Sequence, residues 1–147
     1  MLQATNLALL SCGAFFMIGL ITGAWKYRGM ITSDDAQAPT YVDICHRAAL
    51  MYAFACLVLA EFARLSIWSG TVNLVAVLLP VVFFAATVGS YALHGLLQDT
   101  DNHLRRPHVM GKRYVHGRTV STFIYLLAAG EIGGFAVLLT GSVPALV

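Results

Sequence analysis

Asp43, His46 and Arg47 stand together at the start of an apolar run, and two phenols, Tyr52 and Tyr91, follow along the chain. A neutral imidazole nitrogen is a ligand for a metal or a haem iron. An acid one helical turn away, as Asp43 is from His46, can orient or charge-balance that ring. Each residue also has a plainer use. His46 suits an interfacial histidine bonded to a carbonyl or a headgroup. Asp43 matches a helix-start dipole. Arg47 suits a snorkelling cation or, in the sharper reading, a partner for a haem propionate.

The elements that must position these groups are membrane spans. The chain has 147 residues, 59% hydrophobic and 11% charged, with a mean hydropathy of +0.75. A soluble domain carries roughly 25% charged residues. About 20 apolar residues suffice to cross a bilayer as a helix, and four segments qualify, at about residues 7–24, 41–63, 70–97 and 119–140. The expectation is an all-α fold, an integral membrane four-helix bundle forming one domain over residues 1–147. "MLQATN" lacks a basic region and no cleavage site follows the first apolar run, so no cleavable signal peptide is expected. Cys12, Cys45 and Cys56 lack metal-site spacing and read as packing residues.

The connections after spans one and three share a side and hold Lys26, Arg28, Arg105, Arg106, Lys112, Arg113 and Arg118, against Arg64 alone opposite. The positive-inside rule places these basic loops in the cytoplasm and both termini outside. A net charge of +2 is too small to suggest nucleic acid. The stretch 98–118 is too polar for lipid and reads as interfacial or mobile.

From the rise of a helix, His46 lies about 8 Å, Tyr91 about 9 Å and His94 about 5 Å inside the same membrane face. Tyr52, nearly two turns beyond His46, reads as facing broadly the same way, so His46, Tyr52 and Tyr91 can bound one pocket. His94 invites pairing with His46 on one haem, but its place near the interface favours a solvent-facing ring. His103, His108 and His116 read as surface residues. Glu131 is the costliest residue if charged within the fourth span. It reads as a protonated or hydrogen-bonded group locking that helix, beside Gly130, Gly133 and Gly134, with a proton relay or a substrate-positioning carboxylate as the sharper reading.

No nucleophile elbow, catalytic triad or phosphate loop is present. The glycine-rich "CGAFFMIGLITGAW", the polar connection, His46 at the head of the second span and "GSY" ending at Tyr91 together resemble the bacterial styrene oxide isomerases over about two thirds of the chain. The resemblance implies ferric haem b held between subunits of a homo-oligomer, a trimer, in the bacterial inner (cell) membrane. It implies His46 as the axial ligand of the haem iron and Tyr91 as the group that holds an epoxide. The implied reaction is Lewis-acid rearrangement of a small apolar aryl epoxide, such as styrene oxide, to an aldehyde. The family's asparagine falls at Tyr52, and a phenol donates one hydrogen bond where an amide donates two. Two other classes stay open: an electron-transfer cytochrome b with His46 and His94 as paired ligands, and an accessory subunit of a larger membrane complex.

Overall fold

A computed structural model describes residues 2–147. Four helices follow the hydropathy: α1 (Leu2–Ile31), α2 (Thr40–Leu65), α3 (Gly70–Leu97) and α4 (Gly117–Leu146). All four are long and apolar enough to cross a membrane, and they form an all-α four-helix bundle. Two-residue strands β1 (Val109–Met110) and β2 (Arg113–Tyr114) make an antiparallel hairpin between α3 and α4. The segment 98–118 therefore carries structure of its own.

The third helix matches its expected span, and α1, α2 and α4 outrun theirs because their backbone stays helical beyond the apolar run. At 30 residues, α1 is about 45 Å long, against about 30 Å of hydrocarbon. "WKYRG" is thus helical, and α1 ends where the Thr32 hydroxyl donates to the carbonyls of Arg28 and Gly29. Pro39 caps α2 with no side-chain hydrogen bond. Ser69 caps α3 by accepting from Val72 N–H, and α3 ends on Gln98 in the left-handed region.

Small residues set the two closest seams. Lipid tails are as apolar as leucine, so helices in a membrane associate by close packing rather than by hydrophobic exclusion. Along α1 the buried stripe is Ala4, Ala8, Phe15, Gly19 and Thr22, and it meets α2. A Cβ on Gly19 would lie 2.5 Å from Leu50 Cδ2. On α4, Gly130 rests on the Phe83 ring, and a Cβ on Gly134 would lie 2.6 Å from the Ala76 carbonyl and 2.7 Å from Pro80. Pro80 lacks the N–H that would bond the Ala76 carbonyl, so α4 closes on a weak point of α3. The other end of α4 meets the α2–α3 turn, where Ile67 N–H donates to Gly141 O at 2.9 Å and Trp68 Nε1–H to Val137 O at 3.0 Å. Cys45 and Cys56 are buried, Cys12 is half-buried and all three are free thiols, as packing residues should be.

Candidate functional site

His46 lies half-buried on the face of α2 that meets α1. Its Nδ1 is 2.8 Å from the Gly19 carbonyl oxygen. A carbonyl only accepts, so Nδ1 carries the proton and Nε2 of the neutral ring keeps its lone pair. Gly23 makes the room: a Cβ there would come within 2.9 Å of the imidazole Cε1. The Thr22 hydroxyl donates chiefly to the Ile18 carbonyl at 2.7 Å and reaches the Gly19 carbonyl only at 3.1 Å. Metal-ligating histidines are held in this way, one nitrogen donating to a carbonyl and the other left basic. The bond to a carbonyl belongs equally to the plainer reading of His46.

Asp43 does not orient this ring. Its carboxylate is held by Lys26 Nζ at 2.6 Å and by Arg47 at 2.8 Å, because the Gly19 carbonyl already takes Nδ1. The Arg47 side chain is 64% exposed. With Lys26, Gln37, Thr40 and Asp43 it lines a cleft of about 360 Å³ between the α1–α2 connection and α2. Its charge therefore sits at the aqueous mouth of the His46 seam.

The two phenols lie elsewhere. Six residues turn a helix through about 600°, which leaves His46 and Tyr52 about 120° apart around α2; the expectation that they face one way is corrected. Tyr52 points into the bundle and stacks on Phe84 at 4.1 Å, with Phe15 at 6.2 Å. It is directed at Thr87, whose buried Oγ1 closes no hydrogen bond. Tyr91 stands between Tyr41 at 5.8 Å and His103 at 5.9 Å. Glu131 lies near both Tyr52 and Tyr91. Its Oε1 is buried with no hydrogen bond among the described residues. The polar interior is thus Tyr52, Thr87, Tyr91 and Glu131, gathered from α2, α3 and α4.

His94 departs furthest from expectation. Its side chain is 3% exposed and pairs through Nδ1 with Asp99 at 2.8 Å. Asp99 also accepts from Gly111 N–H of the hairpin turn, which ties the end of α3 to the hairpin. His103 stacks on His94 at 5.9 Å and Tyr41 OH lies 2.5 Å from His103 Nδ1. His108 Nδ1–H donates to the His103 carbonyl at 3.0 Å. Of the three loop histidines only His116 is exposed, and it caps α4 by accepting from Arg118 N–H. Burial drives the Asp99 carboxyl upward, but the bonds from His94 and Gly111 outweigh it and hold the carboxyl below its ordinary range. Burial, with the charges of His94 and His108, pushes the His103 imidazole below its ordinary value. Neither group looked like a partner in the sequence, because the contacts cross from helix to loop.

Among the described residues, no three His, Cys, Asp or Glu side chains gather to hold a bare metal ion. A haem asks less of the protein, since the porphyrin brings four nitrogens and one imidazole completes an axial site. The donor set around His46 fits that requirement. Comparison with protein-family models, curated proteins and solved structures gave no match.

Proposed function

We propose that this chain is a membrane-embedded, haem b-dependent isomerase that converts a small aryl epoxide to an aldehyde, as in the styrene oxide isomerases it resembles. The observation that carries the reading is the state of His46, with Nδ1–H spent on Gly19 O at 2.8 Å and Nε2 left as a base. His46 would hold the haem iron from one side, while Arg47 and Lys26 at the mouth would meet its propionates. When bound, ferric haem supplies a Lewis acid that polarises an epoxide oxygen. By the resemblance Tyr91 and Tyr52 would hold and orient the substrate through single phenolic hydrogen bonds, brought to the iron from a neighbouring subunit because they lie apart from their own His46. An apolar interior serves the chemistry by excluding water, which would open the substrate to a diol. A half-buried His46 leaves one side of the ring without a protein wall, and assembly as a homo-oligomer, a trimer by resemblance, would supply it. The membrane is the bacterial inner membrane on this reading, with the basic loops cytoplasmic.

The buried seat of His94, between Tyr41 at 5.0 Å and His103, weighs against the paired-histidine cytochrome. An absorption spectrum of the detergent-purified protein tests the proposal. We expect a Soret band that His46→Ala removes and His94→Ala retains, and phenylacetaldehyde on addition of styrene oxide under air. A preparation that stays colourless after hemin reconstitution would overturn the proposal and leave an accessory membrane subunit.

A further inference from the structure

A second cavity, of about 860 Å³, opens where the α3–α4 connection enters α4, and its lining includes Arg106, His108, His116, Arg118 and Tyr125. We propose that it binds the phosphate headgroup of an anionic glycerophospholipid. The inference does not depend on the haem reading.

Charge is the first argument. Arg106 and Arg118 make no ion pair among the described residues, and no carboxylate lines the cavity. The neighbouring acids are spent, Asp101 on Arg105 at 3.0 Å and Asp99 on His94 at 2.8 Å. Two uncompensated guanidinium groups lining one cavity are stabilised by an anion, and a phosphate can take two bonds from each.

Donor geometry is the second. His116 Nδ1 accepts from Arg118 N–H at 3.1 Å, so the proton of the neutral ring sits on Nε2, where it can donate. The hydroxyls of Ser121 and Thr122 line the same space and lie on the exposed first turns of α4.

Depth is the third argument, and it selects a lipid over a soluble phosphate. The cavity lies at the head of a helix long and apolar enough to span the membrane, with 11% of its apolar window buried. Ile124, Tyr125 and Leu126 follow directly, exposed by 39%, 76% and 57%. A phosphate held by Arg106 and Arg118 would therefore have its acyl chains against an apolar helix face. Basic pockets beside spanning helices bind anionic headgroups in this way. A zwitterionic headgroup fits less well, because its ammonium finds arginines and no acid.

The test uses the full chain, purified in detergent and delipidated, with lipid adducts followed by native mass spectrometry. We expect phosphatidylglycerol to bind well above phosphatidylcholine of the same acyl chains. The double variant R106Q/R118Q should lose roughly twentyfold in phosphatidylglycerol affinity, on the scale of one cation per anionic contact. Arg28→Gln, which removes a cation outside the cavity, should change nothing. Circular dichroism of the double variant shows whether the fold is kept; should it be lost, Arg118→Lys replaces it and should keep part of the affinity. Equal binding of the two lipids, or undiminished binding by a folded double variant, would overturn the proposal. Competition by glycerol phosphate or inorganic phosphate at the concentration of the lipid would overturn the lipid assignment in favour of a soluble phosphate.

Discussion

His46 and His94 lie near the same end of the bundle, each with Nδ1 in a hydrogen bond of 2.8 Å, yet their surroundings are opposite. His94 is sealed, 3% exposed, and its partner is a carboxylate that also accepts from Gly111. His46 is half-buried against a glycine, its partner a main-chain carbonyl. A carboxylate in a closed seat makes an imidazole a structural strut. A carbonyl in an open seam fixes the tautomer and leaves a basic nitrogen to use. The distinction lies in the partner and the wall, and neither is a property of histidine itself.

The comparison breaks most sharply at Gly23. Gly23→Val should abolish the Soret band, because its Cβ alone would lie 2.9 Å from the imidazole Cε1; retention of the full band would show that the seam yields. His94→Ala should keep the band and lower stability by about 1.5–3 kcal/mol, the cost of one hydrogen bond to a buried carboxylate that keeps its bond from Gly111. A thermal melt within error of wild type would deny His94 its structural role. Tyr91→Phe should slow turnover at least about tenfold with haem retained, the loss of one directed donor; unchanged rates would remove Tyr91 from the site.

A smaller effect comes from acid. The His103 imidazole sits below its ordinary 6.5, so it costs nothing above that range and destabilises the loop as pH falls through it. Asp99 lies below its ordinary 3.8, so its stabilisation is whole above that value and is lost as pH falls through the folded pKa. The hairpin should loosen from about pH 6.5 downward, read as rising mobility of a nitroxide at position 112. A line shape unchanged as pH falls well below 6.5 would deny the buried His103 imidazole a part in holding the hairpin. Smallest is Asp43→Asn, which weakens half-exposed ion pairs at the His46 mouth and should cost about 1 kcal/mol; a much larger loss would mean that Asp43 does reach the ring.

Much of the bundle was legible in the sequence because a bilayer imposes one length and one polarity on every span. "AAGEIGGF" revealed close packing for the same reason, since only small residues let helices approach, although Gly133 itself meets nothing within 4 Å. His46 was legible as a polar cost within an apolar run. Its partner was not, because the register of α1 on α2 is set by where Gly19 and Gly23 meet Leu50 and the ring. The angle between His46 and Tyr52 is present in the spacing itself, since six residues leave the two about 120° apart around the helix. The His94–Asp99–Gly111 latch was hidden for another reason. It depends on a two-residue hairpin in a polar stretch that carries little hydrophobic pattern.

Pro80 and Gly134 have a consequence for how the molecule is made. Chains leave the ribosome from the N-terminus, so α1, α2 and α3 exist before α4. The Ala76 carbonyl has no regular intrahelical donor, because Pro80 lacks an N–H, and such a backbone group is costly wherever water is absent. Gly134, with no side chain, is the residue of α4 that comes to rest there. The newborn fourth helix thus meets a waiting polar landmark, and the bundle carries its own instruction for where the last piece belongs.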